Sequence, residues 1–130
     1  MISQSVPFAA SALVGRLAWL DLGTSNARIE IYGGTRPASG AAPGVPIIVT
    51  ITLAKPSGSI ADAVATLISS TAFFLAENSG APTWARWYNG NNEFAFDCDA
   101  SGPAGTAEVI VSENTVLQGG KVSLILATFS

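Results

Sequence analysis

The sequence predicts an all-β fold: an antiparallel β-sandwich of jelly-roll type with about eight short strands and one short N-terminal helix. Three observations lead there. The stretch Trp84-Ala-Arg-Trp-Tyr-Asn-Gly-Asn-Asn-Glu-Phe-Ala-Phe-Asp-Cys98 sets Asn89-Gly90 between two alternating aromatic runs. That is a strong hairpin signal, because a type I′ turn needs φ > 0 at both central residues. Val45 to Leu53 is β-branched almost throughout, which suits a central strand. Finally, glycine- and proline-rich segments break the chain at short intervals, as turns between short strands do.

The elements follow in order. Met1 to Pro7 shows no periodicity and reads as an extended arm to the single domain 1–130. From Phe8 to Leu22 the apolar positions Leu13, Leu17 and Leu20 fall at helical spacing and Gly23 supplies a stop, so a short helix is expected. A strand over Val14 to Leu20 is the competitor. Asn26 to Tyr32 alternates, with Ala27, Ile29 and Ile31 against Arg28, Glu30 and Tyr32, the pattern of a half-buried strand. Gly33 to Pro46 is a loop by its glycines and prolines, and Lys55-Pro56-Ser57-Gly58 reads as a turn. Ile60 to Leu75 is ambiguous and is read as two short strands, near Ala65 to Ser69 and Ala72 to Glu77. After the hairpin, Ser101 to Gly105 is a turn and Ala107 to Val111 a strand. Lys121 to Phe129 is the last strand, with Val122, Leu124, Leu126 and Thr128 alternating against Ser123, Ile125 and Ala127.

Within the hairpin, loops of two or four residues give the same parity. Ala85, Trp87, Phe94 and Phe96 then share one face, read as core, and Trp84, Arg86, Tyr88, Glu93 and Ala95 share the other. A loop of three or five residues breaks this assignment. Cys98 has the parity of Phe94 and Phe96 and reads as a buried structural thiol; as the single cysteine it cannot form an internal disulfide.

Composition narrows the function. Charged residues make up 12% of the 130, about half the usual ~25%, so the surface is built mainly of small neutral side chains. Such a surface suits life inside a large assembly, since charges are depleted at interface cores. Net charge is −3 and the arginines Arg16, Arg28, Arg36 and Arg86 are scattered singly, which argues against nucleic acid. No basic segment opens the chain and Arg16 interrupts its first apolar stretch, so no signal peptide is expected. The uncharged run from Ala63 to Ala76 is too short to span a bilayer.

With no histidine in the chain, the commonest general base and the usual triad partner are missing, and zinc sites of Cys/His spacing are excluded. Asp97 and Asp99 flank Cys98 on one strand face; such a pair serves a hydrolase or a calcium ion, though two solvated acids at a strand end is the stronger reading. Asp21-Leu-Gly-Thr-Ser-Asn26 resembles the first phosphate-binding turn of actin-like ATPases. That fold needs two large lobes, which 130 residues cannot supply, so a helix-to-strand turn with Gly23 ending the helix is expected. No metal or cofactor is expected.

Three stretches taken together resemble a family of small virion structural proteins of tailed bacteriophages. They are Asp21 to Pro37 (Asp-Leu-Gly-Thr-Ser-Asn-Ala-Arg-Ile-Glu-Ile-Tyr-Gly-Gly-Thr-Arg-Pro), Ser79-Gly-Ala-Pro-Thr-Trp-Ala-Arg-Trp with the following Tyr-Asn-Gly and an acidic residue after the turn, and Gly119-Gly-Lys-Val-Ser-Leu-Ile-Leu. The resemblance implies a capsid decoration (cement) protein: non-enzymatic, assembled in the host cytoplasm and seated on the virion surface. Its implied partners are the major capsid protein and itself, as a homotrimer or homodimer, with no nucleic acid and no membrane. The expected interface residues are Trp84, Arg86 and Tyr88 on the outward hairpin face and Met1, Ile2, Val6 and Phe8 on the arm, which could add a strand to a neighbour. A tail, baseplate or head-to-tail joining part is the second virion reading. A carbohydrate-binding module using Trp84, Tyr88, Asp97 and Asp99 is the reading from another class.

Overall fold

The computed structural model describes residues 6–130, with side chains from Ser11 onward. One helix, α1 (Val6–Leu20), precedes nine strands: β1 (Arg28–Tyr32), β2 (Val49–Ala61), β3 (Val64–Ser69), β4 (Phe74–Leu75), β5 (Trp84–Tyr88), β6 (Phe94–Ser101), β7 (Val109–Val111), β8 (Lys121–Val122) and β9 (Leu124–Phe129). The all-β expectation with a single helix is met. The expected sandwich is not: seven strands close into a barrel in the order β1-β2-β3-β9-β7-β6-β5, with β5 returning to β1, and β4 and β8 form a separate two-stranded sheet. Every barrel pair is antiparallel except the parallel β6–β7.

A closed sheet needs strands that turn corners, and β2 supplies one. Its first half pairs with β1, Arg28 opposite Thr52, and its second half with β3, Gly58 opposite Leu67. Between Leu53 and Gly58 the register slips. This is where the turn Lys55 to Gly58 is expected; it is instead an irregularity inside one long strand. Pro56 has no N–H for the ladder, and the Ser57 N–H is taken by the Asp21 carboxylate, at 3.1 and 3.3 Å. The true turn comes later, at Asp62-Ala63, both with positive φ, and links β2 to β3.

The barrel interior is small and filled by side chains, as barrels of this size are. Ile29, Ile31, Val49, Ile51, Leu53, Ala65, Ala85, Trp87, Val109, Val111 and Ala127 are wholly buried there, with Leu67, Cys98 and Ala100 nearly so. Trp87 stacks on Phe96 at 4.7 Å and meets the edge of Phe129 at 5.8 Å.

At the N-terminus, α1 begins at Val6, so Val6 and Pro7 are helical and not the end of an extended arm. Proline is tolerated in the first turn, whose N–H groups have no intrahelical partner. The expected arm residues Met1 and Ile2 lie outside the described residues, as do the side chains of Val6 and Phe8. Leu13 and Leu20 are buried and Leu17 packs against the core, the pattern expected of the helix. Gly23 takes φ +96° just past its end, as a helix stop does.

The expected last strand, Lys121 to Phe129, divides into β8, paired with β4, and β9 in the barrel, and its alternation fails because Ile125 is bulged. Ile110 pairs with Leu126 and Val111 with Leu124, so Leu124 and Ala127 point inward while Ile125 and Leu126 lie exposed.

The tip of the β5–β6 hairpin packs on the turn that follows α1. A Cβ at Gly90 would collide with the Leu22 and Ser25 carbonyl oxygens, and the Gly90 N–H donates to Leu20 O at 3.3 Å. In α1, a Cβ at Gly15 meets nothing. Gly90→Ala is therefore expected to cost about 1–3 kcal/mol through overpacking, and Gly15→Ala to add about 0.5–1 kcal/mol through helix propensity. Urea unfolding of the two variants, moving in opposite directions, is the check.

Candidate interaction surface

The hairpin tests the expected interface directly. Ala85 pairs with Cys98, Arg86 with Asp97 and Trp87 with Phe96, but Tyr88 pairs with Phe94, leaving Ala95 as a bulge. The loop is thus the five residues Asn89 to Glu93, one of the two lengths that break the expected parity. Phe94 leaves the core face and joins Tyr88 outside, 38% exposed. The loop is no type I′ turn, because neither Asn89 nor Gly90 has positive φ while Asn92 does, at 63°. Asn89 is buried and organises it. Its Oδ1 accepts from the N–H groups of Asn91 (3.0 Å) and Glu93 (2.9 Å), and its Nδ2 donates to Glu93 Oε1 (2.9 Å). Side-chain capture of nearby backbone is what asparagine does in turns.

The outward face of β1, β5 and β6 is covered by its own chain. Trp84 is 0% exposed, stacks on Tyr32 at 4.3 Å and donates its indole N–H to Gly33 O at 3.1 Å. Arg86 is also buried. Its guanidinium makes a two-bond fork with Asp97, 2.8 and 3.1 Å, and lies 5.3 Å from the Trp84 ring and 5.4 Å from that of Phe94. The glycine- and proline-rich loop after β1 forms the lid: Gly40 N–H donates to Asp97 Oδ2 at 3.2 Å, Thr83 Oγ1 donates to Gly34 O at 2.6 Å, and Arg36 faces Asp99 at 3.5 Å. On β1, Glu30 accepts from Arg28 Nε (3.0 Å) and from the Tyr32 hydroxyl (2.8 Å). Arg28 sits 4.1 Å over the half-buried Tyr88 ring.

The interface assignment of Trp84 and Arg86 is therefore corrected: both spend their contacts inside the monomer. Tyr88 is engaged by Arg28 and by the Phe94 edge at 6.5 Å. A sugar platform on Trp84 is likewise closed by the Tyr32 ring. The two acids do not act as a pair. Asp97, with a 4% exposed side chain, is the counter-ion of Arg86, and only Asp99 is solvated. Asp21 is committed to Ser57, and Lys55 Nζ donates to the carbonyls of Gly23 (2.5 Å) and Ser25 (3.3 Å), so that turn is a structural tie. No group of three or more His, Cys, Asp or Glu side chains able to hold a metal occurs among the described residues, and no helix there is long and apolar enough to cross a membrane.

Burial governs the titration of this region. It pushes the Cys98 thiol up to about 12, against the lowering effect of the Trp87 indole N–H that donates to Sγ at 3.3 Å. Tyr32 is raised by burial first and by its hydrogen bond to Glu30 second. Arg86 is raised by the Asp97 hydrogen bonds, which outweigh its desolvation.

The opposite side of the barrel differs. Strands β3, β7 and β9 contain no charged residue. Their outer face shows Val64, Ile68 at 55%, Ile125 at 56% and Leu126, with Thr66 opposite Thr128 and Ile110 opposite Leu126. Sequence reasoning assigned none of these to a surface. The signal was there: Val-Ala-Thr-Leu-Ile and Leu-Ile-Leu-Ala carry apolar residues at both parities, beyond what one buried face requires. Comparisons with family models, with curated proteins and with solved structures give no match.

Two outcomes are expected. Asp97→Ala leaves Arg86 buried without a counter-ion and should cost about 3–5 kcal/mol, whereas the double variant Arg86→Met/Asp97→Leu should recover most of that loss; denaturant melts of the three proteins decide. For Cys98, folding raises the pKa above its ordinary 9.0. The associated stability is therefore full below pH ~9 and lost as pH rises toward about 12. The native thiol should resist an aromatic disulfide reagent at pH 8 and react once unfolded, and Cys98→Ala should flatten the alkaline fall in stability.

Proposed function

We propose that this chain is a non-enzymatic virion structural protein that decorates a capsid and stabilises it by bridging major capsid subunits. One observation carries the reading: β3, β7 and β9 carry no charged residue, and on their outer face Val64, Ile68, Ile125 and Leu126 stand in solvent, with Asp99 and Glu108 beside Leu126 at its border. Several exposed apolar side chains on one sheet face mark protein contact sites. Arg86, Asp97, Tyr32 and Trp84, by contrast, are drawn into the monomer. The resemblance of three stretches to tailed-phage virion proteins supports the same reading, as does the 12% charge content.

In this mechanism each copy buries neutral surface against several neighbours, a capsid subunit and a further copy of itself within a homotrimer or homodimer. Modest contacts repeated along a lattice multiply by effective concentration. A closed barrel with a packed interior serves as a stiff spacer between those contacts.

Purified particles test the reading. The protein should occur at a copy number comparable with that of the major capsid protein, and its loss should lower the temperature at which particles release their contents. Ile68→Lys with Leu126→Lys should leave the isolated protein's melting temperature within a few degrees and abolish particle binding. A copy number of a handful would point to a tail or joining part, and absence from the particle would sink the virion assignment.

A further inference from the structure

A second feature stands apart from the assembly reading: the ring of strands is one segment short beside β6. Ala100 N–H donates to Thr83 O at 3.1 Å, which fixes the alternation of β6 against β5. Phe96, Cys98 and Ala100 then turn their N–H and C=O groups toward β5, and Asp97 and Asp99 turn theirs away from it. On that far side the ring closes only at Ala100–Val109 and Ser101–Ile110, so among the described residues no strand meets Asp97 there. The end of β9 forms the opposite wall. Thr128 N–H donates at 3.0 Å to the carbonyl oxygen of Glu108, the residue just before β7. Past that bond β9 runs on to Phe129, which pairs with β3 on its other side. Between the walls lies a cleft of about 410 Å³, lined by Phe96, Cys98 and Phe129, with Glu108 at its β7 end. Glu108 is exposed, and among the described residues it has no cationic partner.

We propose that an extended segment of a partner polypeptide adds here as a strand, with apolar side chains turned onto Phe96 and Phe129 and a lysine or arginine turned out beside Glu108. Main-chain geometry decides the class. Asp97 presents a peptide donor and a peptide acceptor at strand spacing, which a further strand answers bond for bond, the mode of β-strand addition. Its side chain is not needed for this, being held by Arg86. Parity sets the pattern of the segment. Cys98 is buried and Phe96 packs on the core, while Asp97, Asp99 and Glu108 lie on the outward parity, so an added strand alternates in the same way. Charge sets its outward residue. Asp99 already faces Arg36, which leaves Glu108 as the acid that a basic side chain of the partner answers.

An alternating lysine–valine heptapeptide is the probe, titrated into the full chain and followed by amide NMR. It should bind saturably, shift the amides of Asp97 and Asp99, and slow hydrogen exchange at Asp97. The same peptide N-methylated through its centre keeps the charge and the side chains but lacks the donors, and should bind at least about tenfold more weakly. Glu108→Gln, an exposed change, should weaken the parent peptide about two- to fivefold at low salt, and high salt should shrink that difference. Absence of saturable shifts overturns the site, as does an Asp97 N–H that is as protected as that of Cys98 in the free chain. Equal binding of the N-methylated peptide overturns strand addition in favour of side-chain docking. Insensitivity to Glu108→Gln overturns the placement of the basic residue. Asp97 shifts that follow protein concentration without peptide mean that copies of this chain pair through the edge, and the partner assignment falls. Particle binding by the Ile68/Leu126 face is a separate readout, so either idea can fail alone.

Discussion

The buried Arg86–Asp97 pair is the interaction on which the arrangement of this molecule depends. A desolvated arginine is tolerable only when its charge and its N–H groups are both answered. Here Asp97 provides the fork and the Trp84 and Phe94 rings flank the guanidinium. The second oxygen of Asp97 also receives the Gly40 N–H, so the pair reaches out of the sheet and fastens the long loop over it. Without that cover β1 and β5 would have one wet face. With it, all of Ile29 to Tyr32 and Trp84 to Trp87 are buried, and the chain has two packed layers: a barrel interior and a polar-aromatic layer between sheet and loop.

That second layer explains where reading the sequence succeeded and where it failed. Strand existence was legible, since Arg28 to Tyr32, Trp84 to Tyr88 and Leu124 to Phe129 each carry β-type content that local physics alone can recognise; the division of Lys121 to Phe129 between two sheets was not. Sidedness was not. Parity arguments assume an unbroken period of two, and single-residue bulges at Ala95 and Ile125 reverse it near the start of β6 and β9. A bulge follows from packing across strands, which neighbouring residues do not encode. Trp84, Arg86 and Tyr88 looked outward by period, correctly, but outward proved to mean beneath a loop.

Gly90 teaches a related lesson. The Asn-Gly pair marks a hairpin tip, as expected, yet the glycine is required by the carbonyls of Leu22 and Ser25 that press on it, and the asparagine by the loop N–H groups it collects. The local motif was right about place and silent about cause. The candidate contact face on β3, β7 and β9 was hidden for another reason: apolar residues on a strand are read by default as core, and only the register shows which of them the barrel cannot accommodate.

Closure of the barrel has a consequence for how such a protein can associate at all. Ring closure gives each of the seven strands a neighbour on both sides, though β6 meets β7 only at Ala100–Val109 and Ser101–Ile110 and β3 meets β9 only at Ala65–Phe129 and Thr66–Thr128; among the described residues the other sheet consists of two-residue strands. Where a strand is paired on both sides, neighbours cannot be recruited by main-chain templating, the route that makes open sheets prone to runaway stacking. Recognition must instead be written in side chains on a curved wall. Partner choice on that wall is then adjustable one residue at a time.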